Sequence, residues 1–113
     1  MSADADILRR AKARIEDPDH WTTGAPARGA DGEGMGGRDS SAVRWCALGA
    51  LDVELGVFGG YRFRDRARDR ARAWAWLRQV AQPGTISSIN DTRGHAAVMA
   101  MYDEAIRLAE AEA

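Results

Sequence analysis

Residues 45–51 read Trp45-Cys46-Ala47-Leu48-Gly49-Ala50-Leu51, seven residues without a charge, a proline or an amide side chain. Alanine and leucine favour helix, and Gly49 leaves room for another backbone to approach closely. We therefore interpret this stretch as part of a buried central helix over about 41–55, capped within Asp39-Ser40-Ser41 and ended at Gly56. The apolar positions of this helix cover most of its circumference, as in a helix surrounded by others.

Three further helices are predicted around this one. The first spans residues 3–16 and ends before Pro18, because the residue preceding a proline avoids the helical region. Another begins near 63–65 and ends at Ala81, before a Gln-Pro-Gly turn, and its predicted buried stripe includes Trp74 and Leu77. The last spans about 93–111 and follows a β-branched segment, 85–89, which predicts irregular structure or a single turn. Three residues are candidate caps for this last helix: Asn90, Asp91 and Thr92.

The segment between the first two helices is rich in glycine. Six glycines lie between His20-Trp21 and Arg38, which excludes a helix there. Asp31-Gly32 is a strong hairpin signal, so we expect a small β-hairpin, with Trp21 packed on the core. The predicted fold is mainly α: one compact four-helix domain over residues 1–113, with a glycine-rich loop or small β-hairpin between helices one and two.

The composition places the chain among soluble single-domain proteins. Its 113 residues are 45% hydrophobic and 29% charged, with a net charge of −1. No apolar run approaches the ~20 residues that a membrane-spanning helix needs. Five acidic residues among the first 20 are unlike a secretory or mitochondrial leader, so we expect a cytoplasmic protein without a membrane partner. One cysteine and two histidines fall short of a structural zinc site, and no cofactor is expected.

Four short motifs follow one another along the chain: His20-Trp21, Asp31-Gly32, the Trp-Cys-x-x-Gly-Ala pattern at 45–50, and Asn90-Asp91 before a final helix. This order resembles a family of short uncharacterised proteins found in bacteria and their phages. Members of that family often carry a tryptophan directly before Asn-Asp, where this chain has Ile89. The resemblance implies the domain outline and no assigned activity. The phage members imply, by association only, a role such as inhibiting a host defence complex.

A small thiol hydrolase or transferase is one alternative function. Cys46 would be the nucleophile, and His95 and Asp91, four residues apart, could share a helix face and form a hydrogen bond. Asn90 could orient a group or stabilise an oxyanion. This arrangement requires three elements to converge. The simpler interpretation makes Cys46 a small buried hydrophobe inside helix two, Asp91 a cap, Asn90 a turn residue and His95 a surface side chain.

The third predicted helix carries the strongest local charge. Residues 61–80 contain seven arginines against two aspartates. Guanidinium groups on one helix can bind the carboxylates of an acidic protein or the phosphates of a nucleic acid. Asp65 and Asp69 can pair with arginines three residues on, so the simpler interpretation of this helix is a solvated face without a partner. The near-zero net charge of the chain argues further against nucleic acid. The predicted partner-binding residues are Tyr61, Arg62, Arg64, Arg66, Arg68, Arg70 and Arg72.

Together these features favour a non-enzymatic helical protein that acts by binding a macromolecular partner, foremost a protein with an acidic surface. The contact would be the arginine-rich helix, with Tyr61 as an apolar anchor. The alternatives are the Cys46- and His95-dependent enzyme and a nucleic-acid-binding protein.

Overall fold

The computed structural model describes residues 3–55 and 64–112, with the side chains of 64–71 excepted. These residues form five α-helices and a small antiparallel sheet, so the prediction of a mainly helical fold is confirmed. Within the described ranges, none of the helices has the length and apolar character needed to cross a membrane. In chain order the elements are α1 (Ala3–Ile15), a 3-10 turn (Pro18–His20), β1 (Ala27–Arg28), β2 (Gly34–Met35), β3 (Arg44–Trp45), α2 (Ala47–Leu55), α3 (Arg64–Ala81), α4 (Ile86–Arg93) and α5 (His95–Glu112).

All five helices contribute to one hydrophobic core. Helix α2 lies within it, as predicted, and buries Ala47, Gly49, Ala50, Leu51 and Leu55. Burying one large aliphatic side chain stabilises the fold by about 1.5–3 kcal/mol, so the core depends on its largest members. The largest fully buried side chains are those of Leu8, Ile15, Leu51, Leu77, Asn90, Val98 and Tyr102.

The predicted hairpin around Asp31-Gly32 is confirmed. Strands β1 and β2 pair antiparallel, with Ala27 opposite Met35 and the Asp-Gly pair in the connection. The sheet also contains β3, which the sequence pattern did not predict and which pairs with the other edge of β1. Trp21 is half-buried against the core, as expected.

Helix α2 begins at Ala47, so the prediction of a helix from residue 41 is wrong for its first six residues. The free edge of β1 binds these residues instead: the Val43 amide donates to the Arg28 carbonyl (2.9 Å), and the Cys46 amide donates to the Pro26 carbonyl (2.9 Å). Asp39 closes a tight turn by accepting the Ser41 amide at its side chain (2.8 Å). The polar residues predicted as helix caps therefore lead into a strand.

Gly49 lies where another backbone approaches α2, as its position in the sequence predicts. A Cβ atom at this residue would overlap the carbonyl oxygen of Pro26. The first turn of α2 therefore packs directly on the chain that enters β1. Any larger side chain at Gly49 would force the two apart.

The predicted count of four helices is wrong, because residues 86–93 form α4. Thr85 caps this helix through its hydroxyl, which accepts the Ser88 amide (3.0 Å), while the Ser88 hydroxyl accepts the Thr85 amide (3.1 Å). Such a capping box offsets the weak helix propensity of the β-branched residues that follow. Gly94, with φ of 91°, then separates α4 from α5. Asn90, Asp91 and Thr92 consequently lie inside α4 and do not cap the last helix.

Helix α3 matches its predicted extent, but its buried face is rotated from the predicted one. Ala73, Leu77 and Ala81 are buried, whereas Trp74, predicted on the buried stripe, is 39% exposed. The indole of Trp76 explains this rotation, because it donates a hydrogen bond (2.6 Å) to the buried carboxylate of Asp4 in α1. Trp74 is therefore left on the outer side of the helix.

Candidate functional site

Cys46 is the residue directly before α2, not more than a turn inside it as predicted. Its sulfur accepts a hydrogen bond from the Gly49 amide (3.2 Å), and its carbonyl accepts from the Ala50 amide (2.9 Å). The side chain thus caps the helix in the manner of a serine. Cys46 is 8% exposed, so this cap is buried.

The surroundings of Cys46 keep its thiol protonated. Burial raises the pKa of the Cys46 thiol above its ordinary value, and the negative charges of Asp91 and Asp52 raise it further. Hydrogen bonds from the Gly49 and Leu48 amides act in the opposite direction without reversing the shift. A cysteine that attacks a substrate needs the thiolate form, which this environment disfavours.

His95, grouped with Cys46 and Asp91 in the alternative enzyme, contacts α1 and the Trp21 loop. Its Nε2 atom lies 2.8 Å from the carbonyl oxygen of Ile15, and its ring meets that of Trp21 edge-on, with centroids 5.4 Å apart. A carbonyl oxygen only accepts, so Nε2 carries the proton in this bond. Within residues 3–55 and 64–112, no hydrogen bond joins His95 to Cys46 or Asp91.

Asn90 is the centre of a buried hydrogen-bond network. Its Oδ1 accepts from the Trp21 indole (2.7 Å) and from the Ala47 amide (2.9 Å). Its Nδ2 donates to the Thr22 carbonyl (3.0 Å) and to the Asp91 carboxylate (3.0 Å). These four bonds use the full capacity of the amide, which leaves no donor free for an oxyanion.

The same network fixes the start of α2 from both sides. The Tyr102 hydroxyl, fully buried in α5, donates to the Ala47 carbonyl (2.6 Å), while Asn90 holds the Ala47 amide. Asp91 accepts the Gly24 amide (3.1 Å) and so ties α4 to the chain before β1. Sequence reasoning singled out Asn90 and Asp91 but missed these roles. The sequence signal for these roles was that Trp21 and Asn90 belong to the same ordered set of motifs.

A cleft of about 220 Å³ opens beside Cys46. Asp52, Ser87 and Asp91 supply its polar wall, and Leu48 and Pro26 its apolar wall. Within the described part of the chain, no group of three or more histidine, cysteine, aspartate or glutamate residues could hold a metal ion. The cleft thus combines a protonated thiol with acidic side chains.

Most of the predicted arginine face falls outside what the structure describes. Arg72 is the exception: its side chain is 53% exposed, and its Nε lies 3.5 Å from the Asp4 carboxylate. That contact joins α3 to the first turn of α1. Tyr61 and Arg62 lie outside the described residues, and the same is true of the side chains of Arg64, Arg66, Arg68 and Arg70, whose backbones belong to α3.

The C-terminal half of α3 exposes an aromatic and cationic pair that the sequence reasoning missed. The guanidinium carbon of Arg78 lies 5.0 Å from the centre of the Trp74 ring, within cation–π distance. Arg78 forms no ion pair with any described residue. Trp74 and Arg78 lie four residues apart, which was the available signal that they share a helix face, but Trp74 was predicted to face the core.

This pair borders an open groove of about 810 Å³ between α3 and α4, called here the α3–α4 groove. Its floor and walls come from the second half of α3, the connection at 82–85, the first turn of α4 and Leu48 of α2. None of the described residues that line it is acidic. They are Leu48, Trp74, Arg78, Gln82, Pro83, Gly84, Thr85, Ile86 and Ser87.

One family model matches residues 1–108 of the chain, that of a family of unknown function (DUF6197). The match covers nearly the whole chain, which confirms the resemblance to an uncharacterised family. Neither the curated proteins nor the solved structures include a match.

Proposed function

The chain belongs to this family of unknown function, and we propose that it is a non-enzymatic helical protein that binds another protein through α3. The preferred partner presents an acidic surface. Helix α3 carries six arginines and two aspartates, a net charge of +4, on a chain whose net charge is −1. Such a helix favours association with acidic surfaces over basic ones.

The observation that carries the proposal is the exposed Trp74 with Arg78 stacked on its ring. Tryptophan and arginine are enriched among the residues that dominate protein–protein binding energies. Trp74 is 39% exposed on a helix whose opposite face, with Ala73 and Leu77, fills the core. Its place beside an open groove is typical of an anchor for a partner.

The state of the candidate catalytic groups argues against the thiol enzyme. The Cys46 sulfur caps α2 and is kept protonated, the Asn90 amide is saturated, and His95 bonds a main-chain carbonyl. Each of these side chains has a structural partner in the folded protein. Such enzymes usually hold a nucleophile and its base within hydrogen-bond reach of each other, and Cys46 and His95 do not form such a pair.

The test is affinity capture from extracts of the cell that encodes the protein, with the full chain as bait. Trp74→Ser combined with Arg78→Glu should abolish capture of the specific partner, and Arg10→Glu, an exposed arginine on α1, is the matched control. Arg72→Glu is avoided, because it would place a carboxylate against buried Asp4 and test folding as well as binding. Cys46→Ser should leave capture unchanged.

The captured protein is then purified, and its binding to each variant is measured by calorimetry. Equal binding by the wild type and the double variant would overturn the assignment to α3. Capture that disappears after nuclease treatment would favour the nucleic-acid alternative. Loss of capture in Cys46→Ser, with the fold retained by circular dichroism, would favour the thiol chemistry.

A further inference from the structure

We infer that the α3–α4 groove binds a short segment of the partner that carries a carboxylate next to an aliphatic or aromatic side chain. This inference rests on the proposed function, because it names the part of a protein partner that α3 would contact. The occupant is a peptide segment, not a nucleic acid or a second copy of the chain.

The apolar half of the groove supplies the anchor site. Leu48, Trp74, Pro83 and Ile86 line it, and the Trp74 side chain is 39% exposed. The volume of about 810 Å³ falls within the ~300–1,000 Å³ typical of ligand sites. It can therefore take a few side chains of a segment but not a folded domain.

The polar half of the groove carries positive charge that no described residue neutralises through an ion pair. Arg78 stacks on Trp74 and forms no ion pair with the described residues. The N–H donors of a guanidinium lie in the plane of the fork, where a carboxylate can accept two of them.

The first turn of α4 adds to this positive charge. The capping box satisfies the Thr85 and Ser88 amides, whereas the Ile86 and Ser87 amides have no acceptor among the described residues. Unpaired amides at the start of a helix favour a negative group nearby. No acidic side chain of the described residues lines the groove, so a partner with a carboxylate would supply the complementary charge.

A carboxylate suits this site better than a nucleic-acid backbone. Binding along a phosphate chain needs several cations in a row, and binding of bases needs several exposed aromatic rings. The described lining offers one arginine and one exposed tryptophan. One acidic residue beside one apolar residue matches that pair.

The test selects random peptides displayed on phage against the immobilised full chain, and then measures a labelled peptide from the enriched set by fluorescence anisotropy. The enriched sequences should carry aspartate or glutamate beside a large apolar residue. Affinity should fall about tenfold or more in Arg78→Glu and stay unchanged in Arg10→Glu. Replacing the acid of the peptide by lysine should restore binding to Arg78→Glu, because the pair re-forms with opposite signs.

Trp74→Ser should weaken binding of the same peptide whatever the charge of the peptide. If circular dichroism shows that Trp74→Ser unfolds the chain, Trp74→Phe is used in its place. Enrichment of neutral or basic peptides, no enrichment, or failure of the charge-swap rescue would overturn the inference. Displacement of the peptide by random-sequence oligonucleotides would overturn it in favour of nucleic acid. If capture of a whole protein still depends on Trp74 and Arg78 in any of these cases, the proposed function stands while the acidic segment does not.

Discussion

At the scale of single residues, Asn90 should contribute more stability than any exposed polar side chain. Asn90→Ala would leave the Ala47 amide, the Thr22 carbonyl and the Trp21 indole without their partner. Since each unsatisfied buried group costs about 1–3 kcal/mol, we expect a loss of about 3 kcal/mol in the free energy of unfolding, measured by urea titration. A double-mutant cycle with Trp21→Phe should give a coupling of about 1 kcal/mol. Additive losses would show that the two side chains stabilise the fold independently.

The role of Asn90 also shows that the local sequence pattern does not reveal hydrogen-bond partners that are distant in the chain. The Asn-Asp pair stands out in the sequence, yet nothing in its neighbours indicates a buried amide. Its partners lie 43 and 69 residues away, on α2 and on the loop after α1. Cys46 shows the same limit: its placement as a cap depends on where α2 starts, and β1 determines that start. Side-chain roles that depend on distant segments cannot be predicted from spacing along the chain.

At the scale of elements, α4 should depend on its capping box. Thr85→Ala removes the hydroxyl that accepts the Ser88 amide, and substitution of a threonine cap by alanine costs about 0.5–2 kcal/mol. We expect a loss of about 1 kcal/mol, measured by urea unfolding, with faster amide exchange along α4. Thr92→Ala, at an exposed position in the last turn of the same helix, is the matched control and should cost less. Equal effects of the two substitutions would contradict a specific role for the cap.

Periodicity predicted the long elements better than the short ones. Helices α1 and α3 were predicted nearly to their ends, because a strong breaker, Asp17-Pro18 or Gln82-Pro83-Gly84, follows each. Helix α4 was missed because its β-branched residues, Ile86, Ile89 and Thr92, lower helix propensity. Its cap and its packing on α5, which the local pattern does not show, stabilise it. Strand β3 was missed because two residues carry no periodicity at all. The exposed pair Trp74 and Arg78 was missed because the hydrogen bond between Trp76 and Asp4 sets the rotation of α3.

At the scale of the whole molecule, the buried ionisable groups predict a loss of stability in alkali. Burial raises the pKa of the Cys46 thiol, and it raises the pKa of the fully buried Tyr102 hydroxyl well above its ordinary value. The unfolded chain therefore releases these protons at lower pH than the folded protein does. Above the unfolded thiol pKa of about 8.5, the folded state binds more protons, so the free energy of unfolding falls as pH rises.

Cys46→Ser separates this effect from other alkaline titrations. Serine can still accept the Gly49 amide as a helix cap, but it does not ionise in this range. Urea titrations at pH values from about 7 to about 10 should give parallel curves below the unfolded thiol pKa and a shallower decline for the variant above it. The ion pair of Lys12 with Asp103, which raises the pKa of Lys12, weakens with pH in both proteins and cancels in the difference. Curves that stay parallel to the highest pH would mean that Cys46 ionises as easily in the folded protein as in the unfolded chain. The thiol would then be open to solvent and to reaction, which would revive the enzymatic alternative.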